Sequence, residues 1–282
     1  MFAGVLGLVA LSTACLADIR PENIKDRTQP AEADKARTLL RQAADALHKD
    51  GDGWNRWRAL SGVSVQMTDE WYGMNSFVSA WPEAHQPLRT SFMPASDDSV
   101  VDLLDEDGQP TGITWGIHDW NTWKRENGKL EYVRDRDIHF TLPTVEYFLE
   151  APFRMDDPSA LVDYAGTQNI EGRDFHVIYI TWNDVQPQDM IDQYVAYIAV
   201  ENNRLERIDC TVRDMFPFVT ISAYYQDYRE VDGFQLPHRV AITTLGDPND
   251  SSHTYVIEEW KVNIGLELTV LNPENRPAKF KY

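Results

Sequence analysis

Short apolar runs separated by polar breaks recur along most of the chain, and their spacing predicts β-strands. The longest unbroken series covers residues 173–244. It contains five runs rich in β-branched and aromatic residues. Two of the short breaks carry turn residues, Asn202-Asn203 and Asp232-Gly233. Asp-Gly between two apolar runs is typical of a type I′ hairpin, whose central residues both have positive φ. We therefore predict an antiparallel meander of five strands, at 173–182, 193–200, 205–212, 218–225 and 234–244.

The rest of the chain adds further short strands and two helices. Residues 31–48 carry apolar side chains at helical spacing and charged ones opposite, which predicts an amphipathic helix. A second helical pattern covers 142–155, with Val145, Phe148 and Leu149 on one side and Pro152 as its predicted end. The remaining strands recur about every 10 to 12 residues, which favours an antiparallel β body. They are predicted at 60–67, 86–93, 100–104, 112–117, 121–125, 129–133 and 254–262.

The strand faces differ in polarity. Residues 205–212 alternate between apolar and charged, so this strand has one solvated face. The strands at 173–182 and 194–200 are apolar on both faces, so other parts of the protein have to cover each face. A single large sheet, curled into an incomplete barrel around an apolar cavity and capped by the two helices, satisfies this pattern. A plain sandwich satisfies it equally well.

The N-terminal run 1–17 is strongly apolar and too short to span a bilayer, which is typical of an export signal. Leu11-Ser-Thr-Ala-Cys15 is similar to a lipobox, whose cysteine is lipidated and becomes the new N-terminus. Cleavage after Ala17 is the alternative, and both routes predict export. We expect residues 18–29 to form a polar tether, 30–270 a single domain, and 271–282 an irregular tail.

Composition narrows the classes of function. A net charge of −19 disfavours binding to nucleic acid and to anionic lipid headgroups. Of two cysteines, Cys15 lies in the signal, so Cys210 has no partner for an intramolecular disulfide. Cys210 shares its strand face with Ile208 and Val212, where a free cysteine behaves as a small buried hydrophobe.

Four phrases in the sequence resemble those of a known superfamily. They are 116–123 (GIHDWNTW), 145–155 (VEYFLEAPFRM), 192–198 (DQYVAYI) and 228–239 (YREVDGFQLPHR). Together with an export signal, an amphipathic helix and a long meander, they make the chain similar to the LolA/LolB-like superfamily of lipoprotein carriers and lipoprotein-sorting proteins. The resemblance implies an incomplete β-barrel that holds an acyl chain against an apolar face closed by helices. We place no lid-locking arginine of those carriers on this chain.

The resemblance implies a concave apolar site, for which large side chains from several elements are needed. Phe148, on the short helix, is the predicted lid residue. The candidate lining residues are Trp115, Trp123, Tyr132, Phe140, Tyr147, Phe148, Phe153, Tyr179 and Trp182.

No sequence motif predicts catalysis. The seven histidines show no metal-ligand spacing, His118-Asp119 is an isolated pair, and no nucleophile-elbow, Walker or dinucleotide motif occurs. We therefore predict no catalytic residue, no metal and no cofactor.

We predict that the protein is exported to the periplasm and, if Cys15 is lipidated, that it is anchored to the outer membrane. Its predicted ligand is an acyl chain, a lipid or the lipid of a lipoprotein, and envelope proteins are possible further partners. Two alternatives remain open at this point. Glycan binding would use Trp115, Trp120 and Trp123 as a stacking surface. A structural envelope protein would instead have a broad exposed apolar patch and no cavity.

Overall fold

The computed structural model describes residues 16–134, 136–244, 251–266 and 271–274. The helices are α1 (Glu22–Lys25), α2 (Ala33–Ala46), α3 (Gly53–Arg58) and α4 (Arg136–Arg154), with a 3₁₀ helix at Gly73–Val78. The first six strands are β1 (Val63–Trp71), β2 (His85–Phe92), β3 (Ser99–Leu104), β4 (Pro110–His118), β5 (Asn121–Glu126) and β6 (Lys129–Tyr132). The other seven are β7 (Leu161–Ile170), β8 (Arg173–Thr181), β9 (Tyr194–Ala199), β10 (Leu205–Val212), β11 (Phe216–Val231), β12 (Phe234–Thr243) and β13 (His253–Val262).

All thirteen strands form one antiparallel sheet that does not close into a barrel. Their order is β6-β5-β4-β3-β2-β1-β13-β12-β11-β10-β9-β8-β7. The chain therefore enters at the middle of the sheet, with β1 beside β13, and reaches one edge at β6. Helix α4 then connects this edge to the opposite edge, β7, and the remaining strands return to the middle. The predicted fold class is confirmed, and the sandwich alternative is wrong because the strands share a single sheet.

The predicted meander is confirmed strand by strand from β8 to β12. At its Asp232-Gly233 turn both residues have positive φ, 49° and 89°, and Val231 pairs with Phe234 as a type I′ hairpin requires. Strand β7 has no counterpart in the prediction. Its second half, from Thr167 to Asn169, is polar and exposed, so it lacks the apolar alternation that marks a strand.

Helix α4 is longer than the predicted 142–155 and contains Pro143 and Pro152 inside it. A proline has no N–H to donate to the carbonyl four residues earlier, which for Pro152 is that of Phe148. The Tyr225 hydroxyl from β11 donates a hydrogen bond of 3.1 Å to that carbonyl. The helix therefore continues past Pro152 because a side chain of the sheet satisfies the carbonyl that the proline leaves free.

The main core lies between the inner face of the sheet and helices α2, α3 and α4. Trp57 of α3, which is fully buried, is at its centre. Its ring stacks on Phe153 at 4.2 Å, and it meets Phe234 and Trp260 edge-on. The Trp57 Nε1–H donates a hydrogen bond of 2.7 Å to Glu150 of α4. Aromatic packing and one buried hydrogen bond thus hold α3 and α4 against the sheet.

The outer face of the sheet is covered at two places. Ile24 of α1 packs with Val177, Tyr179 and Val195 of β8 and β9. On the other half, Trp123 of β5 packs with Val100, Leu266 and Leu271. The sequence predicted that β8 and β9 are covered twice, and here one cover is the inner core and the other the N-terminal segment.

The segment 18–29 therefore differs from the predicted tether, because it is packed along the sheet. The Arg20 guanidinium donates to Gln186, and the Ile19 N–H donates to Gln193. One fully buried isoleucine among polar residues gives no periodic signal, so the sequence pattern missed this contact.

Ile24→Ala is expected to lower the free energy of unfolding by about 2–5 kcal/mol, because it removes a fully buried side chain and leaves a cavity. The matched control is Glu22→Ala on the same helix, whose side chain is 89% exposed and pairs with Lys25. We expect the control to change stability by no more than about 0.5 kcal/mol. Urea unfolding of both variants measures the difference. Equal, small effects would show that residues 18–29 contribute nothing to the fold.

Candidate functional site

A cavity of about 190 Å³ lies between α4 and the inner face of the sheet at β9 and β10. Helix α4 forms one wall, while the ends of β9 and β10 form the other. Asp97, from the β2–β3 connection, and Trp120, from the β4–β5 turn, complete the lining. The lining residues are Asp97, Trp120, Phe140, Pro143, Thr144, Tyr147, Phe148, Arg154, Asp192, Tyr194, Cys210, Thr211 and Val212.

Aromatic rings form the apolar wall of the cavity. Tyr147 and Phe148 lie next to each other on α4, with ring centroids 6.1 Å apart. The Tyr147 ring also approaches that of Tyr194 on β9, at 5.3 Å. Between these rings the chain places the smaller side chains of Thr144 and Cys210. The empty volume exists because small residues stand among large ones.

Two phenol groups supply hydrogen-bonding capacity inside this wall. Burial raises the pKa of both Tyr147 and Tyr194, so both hydroxyls stay neutral at physiological pH. Among the described residues neither hydroxyl has a hydrogen-bond partner, whereas the buried Tyr225 and Tyr179 hydroxyls do. The cavity therefore combines an apolar wall with two hydroxyls that are free to bond a polar group of a ligand.

Charged groups lie at one side of the cavity and are paired within the protein. Arg154, at the end of α4, donates to Asp97 at 2.6 Å and to the Ser96 carbonyl at 3.2 Å. Asp192 accepts hydrogen bonds from the Thr211 hydroxyl, at 2.6 Å, and from the Arg213 N–H, at 2.9 Å. Because these groups already have partners, a ligand gains no unpaired charge from them.

Two carboxyl groups are buried behind the cavity, one turn apart on α4. Glu150 accepts hydrogen bonds from Trp57 and from the Ala95 N–H. Among the described residues neither oxygen of Glu146 has a hydrogen-bond donor, and the Arg154 guanidinium lies 3.6 Å from both carboxyl groups. Burial raises the pKa of Glu150 to about 7 and that of Glu146 well above its ordinary value, with the neighbouring Glu150 adding to the second shift. Neither carboxyl group lines the cavity.

The structure distributes the nine predicted lining residues over several environments. Three of them, Phe140, Tyr147 and Phe148, line the cavity, all from α4. Trp182 stands behind the wall, where its ring meets Tyr194 edge-on at 5.8 Å. The other five lie elsewhere. Trp115 and Phe153 are in the inner core, Trp123 and Tyr179 are on the outer face, and Tyr132 is exposed on the edge strand β6.

Sequence reasoning missed the residues from the sheet side, above all Tyr194, Cys210 and Val212. Cys210 and Val212 had been placed on the apolar face of their strand, so the alternation identified their direction. It gave no sign that a cavity lies above them. That depends on which residues of α4, more than 60 positions earlier in the chain, face the strand.

Asp98, His118 and Asp119 come together at the turn between β4 and β5, with ligand atoms within 4.8 Å of one another. The His118 Nδ1 lies 2.9 Å from Asp98 Oδ2, and the Asp119 N–H donates to Asp98 Oδ1 at 3.0 Å. Asp119 and Trp120 both have positive φ, at 48° and 58°. The group therefore ties the β2–β3 connection to a tight hairpin turn.

Comparison with known proteins supports the fold. No family model and no curated protein matches the chain. A Vibrio parahaemolyticus domain named for outer membrane lipoprotein sorting has a TM-score of 0.53 at 12% identity, covering 86% of this chain and 98% of its own. A DUF1329 family protein from Desulfovibrio piger has a TM-score of 0.55 at 10% identity, covering 89% and 100%. A LolA superfamily protein from Nitrosomonas europaea has a TM-score of 0.48 at 12% identity, covering 80% and 92%.

At these identities the likeness concerns the fold alone. The LolA-like fold predicted from the sequence is confirmed. Within the described residues, no helix combines the length and the apolar character needed to cross a membrane.

The raised pKa of Glu150 predicts a pH-dependent stability. The folded state holds this proton more tightly than the unfolded chain, so the free energy of unfolding falls as the pH rises from 4.5 to about 7. A pKa difference of this size corresponds to about 3 kcal/mol. Burial lowers the pKa of His48 and His176, which acts in the opposite direction.

Glu150→Gln isolates this effect, because its amide oxygen can still accept from Trp57 and Ala95. The stability of the variant relative to the wild type is expected to increase between pH 4.5 and 7 and to be constant above that range. Urea unfolding at several pH values measures it. A difference that does not change with pH would contradict the assignment.

Proposed function

We propose that the protein binds an apolar ligand, an acyl chain of a lipid or of a lipidated protein, between α4 and strands β9 and β10. The observation that carries this proposal is the cavity of about 190 Å³ lined by Phe140, Tyr147, Phe148 and Tyr194. Each methylene group that leaves water contributes about 0.8 kcal/mol, so even a short alkyl segment is bound measurably. The free hydroxyls of Tyr147 and Tyr194 suit the carboxyl or ester end of such a molecule.

The size of the cavity limits what enters without a conformational change. A dry cavity of roughly 150 Å³ holds a benzene molecule, whereas pockets for larger ligands are typically about 300–1,000 Å³. A long acyl chain therefore requires α4 to move away from β9 and β10. Pro143 supplies a weak point in that helix, since it cannot donate to the His139 carbonyl. Phe148 beyond it is held to the sheet through Tyr225.

Binding in this proposal involves no chemistry. The groups with the largest carboxyl pKa shifts, Glu146 and Glu150, lie outside the lining. Glu150 holds α4 to Trp57, and both carboxyl groups contact Arg154 of the same helix. A general acid or base has to reach its substrate within hydrogen-bonding distance, which these positions do not allow in this conformation.

The proposal extends to the location and the partners of the protein. The protein is exported to the periplasm and is anchored to the outer membrane by a lipid on Cys15. Cys15 lies outside the described residues. The Vibrio parahaemolyticus neighbour, named for outer membrane lipoprotein sorting, supports an envelope role of this kind. Lipidated envelope proteins are the proposed partners.

The glycan alternative depends on Trp115, Trp120 and Trp123 as one stacking surface. Trp123 is fully buried on the outer face, and Trp115 stacks on Trp81 in the inner core. Only Trp120 is exposed, so the three rings do not form a common platform. The structural-protein alternative requires the absence of a cavity, and the cavity at α4 favours ligand binding instead.

Thr144→Phe is expected to reduce uptake of a fluorescent fatty acid at least about tenfold, because the added phenyl ring occupies the cavity and a tenfold loss costs only about 1.4 kcal/mol. The matched control is Thr38→Phe on α2. Both threonines donate to the carbonyl four residues earlier, but Thr38 is exposed. Fluorescence titration measures uptake, and urea unfolding checks that both variants are folded. Equal uptake by the two variants would refute the cavity as the binding site.

The ligand class is identified by native mass spectrometry of the full chain, expressed and purified from bacterial membranes without detergent. A bound mass that dissociates as phospholipid or fatty acid from the wild type and the Thr38→Phe control, but not from Thr144→Phe, is the expected result. A ligand-free mass in all three, with no fatty-acid uptake, would contradict the proposal.

Cys210 provides an independent readout, because its thiol lines the cavity and is 2% exposed. Burial raises the pKa of this thiol, so little reactive thiolate forms and a small thiol reagent modifies it slowly. A bound acyl chain is expected to slow the modification further. Mass spectrometry follows the added mass, and Cys210→Ser identifies the modified site. An unchanged rate in the presence of saturating fatty acid would place the ligand elsewhere.

A further inference from the structure

Several exposed apolar side chains lie at one end of the sheet. Phe216 and Phe218, at the start of β11, are 44% and 61% exposed, with ring centroids 6.5 Å apart. Met74 and Phe77, on the 3₁₀ helix between β1 and β2, are 84% and 87% exposed. Large apolar side chains with this exposure mark a contact surface when they are grouped.

Sheet topology places the two groups at the same end. Strands β11, β12, β13 and β1 are consecutive antiparallel neighbours. Phe216 and Phe218 lie at the start of β11, and the 3₁₀ helix follows β1. The register pairs Ser222 with Thr243 and Trp71 with His253, so the start of β11 and the end of β1 lie on the same side of this part of the sheet. We refer to Met74, Phe77, Phe216 and Phe218 as the apolar end.

The N-terminal segment reaches the sheet at the apolar end. The Ala17 N–H donates a hydrogen bond of 3.0 Å to the Pro217 carbonyl, between the two exposed phenylalanines. Arg213, which is 3% exposed, donates from Nη2 to the Ala17 carbonyl at 2.8 Å. Ala17 is therefore fixed directly beside Phe216 and Phe218, and the apolar run of residues 1–15, which carries Cys15 and no charge, precedes it in the sequence.

The lining of the cavity extends to the same end of the sheet. Val212 and Thr211 line the cavity, and Val212 pairs across the hairpin with Phe216. A surface that accommodates the apolar end would therefore also lie near the Val212 side of the cavity lining. This juxtaposition joins three features: the N-terminal apolar run, the exposed phenylalanines and the cavity.

We propose that the apolar end docks on a lipid bilayer, with Phe216, Phe218, Met74 and Phe77 in the interfacial region and the cavity turned towards the membrane. The N-terminal run, or the lipid on Cys15, holds the fold at the bilayer, and the apolar end fixes its orientation. The net charge of −19 favours a zwitterionic over an anionic lipid surface. Docking itself does not depend on a ligand in the cavity, whereas passage of a ligand between bilayer and cavity rests on the function proposed above.

An environment-sensitive dye on a single introduced cysteine tests the docking. Phe218→Cys and Phe77→Cys place the dye on the two parts of the apolar end. The matched control, Val200→Cys, lies on an exposed apolar position in the β9–β10 turn, at the opposite end of those strands. The full chain is reconstituted into phosphatidylcholine vesicles with or without lipids that carry a quencher on the acyl chain. Protein without an added cysteine gives the background from Cys15 and Cys210.

At positions 218 and 77 we expect a blue-shifted emission that the quencher lipids reduce severalfold, whereas the dye at position 200 keeps its emission in water and is not quenched. If either position of the apolar end behaves like the control, the proposal is wrong. A blue shift without quenching also overturns it, because it shows a surface covered by protein, either the N-terminal run or a second copy. Since Thr144→Phe leaves the apolar end unchanged, failure of docking and failure of ligand binding are measured separately.

Discussion

Helix α4 has to cover the inner face of a sheet whose two edges never meet, and most of the structure depends on how it is held there. Hydrogen bonds between β6 and β7 would have closed the sheet, but in their place the chain crosses from edge to edge as a helix. Two hydrogen bonds hold the second half of α4 in place. The Tyr225 hydroxyl donates to the Phe148 carbonyl, and the Trp57 indole N–H donates to Glu150. Each involves a group that would otherwise be buried without a partner, and such a group costs about 1–3 kcal/mol.

Holding α4 in this way buries Glu146 and Glu150, and burying a carboxyl group is unfavourable in free energy. Two carboxyl groups on one face of a helix, both almost fully buried, share the single guanidinium of Arg154, which also binds Asp97. Replacing buried ion pairs with apolar side chains is often neutral or stabilising, so stability alone gives no reason for this arrangement. The ion pairs do have a geometric effect, because Arg154 links the end of α4 to the β2–β3 connection beside the cavity. The charges therefore position the helix that forms the cavity wall.

The sequence predicted the helices and strands better than it predicted the contacts between distant ones. Strands β8 to β12, the β-hairpin at Asp232-Gly233 and helix α2 all have strong local signals, which arise from residues close in the chain. Trp115 and Trp123, by contrast, were expected in one site but lie on opposite faces. Trp123 pairs with Gly116, the neighbour of Trp115, and paired residues share a face whereas successive residues face opposite sides. Local periodicity shows that neighbouring residues face opposite sides. It does not show which side is the inner one when both are apolar.

The same limit explains the covered outer face and the cavity. Tyr179 was predicted to face a ligand, but it packs against Ile24, more than 150 positions earlier, in a segment with no periodic pattern. Tyr194 and Cys210 line the cavity together with Thr144, a small residue on the facing helix α4. Both outcomes depend on single contacts between distant parts of the chain, whose geometry no local pattern records.

The position of the cavity, more than its size, connects the parts of the molecule into one functional arrangement. A cavity deep in the centre of the sheet would require a ligand to pass several layers of packed side chains. Here the cavity lies at the ends of β9 and β10, one strand pairing away from Phe216, while the chain's apolar N-terminal run joins the fold at Pro217. An acyl chain moving from a bilayer into this cavity would cross little water, so the free energy of exposing each methylene group, about 0.8 kcal/mol, is largely avoided. In the proposed transfer, the open sheet, the helix across it and the exposed phenylalanines would meet the same physical requirement, which is to keep apolar surface away from water.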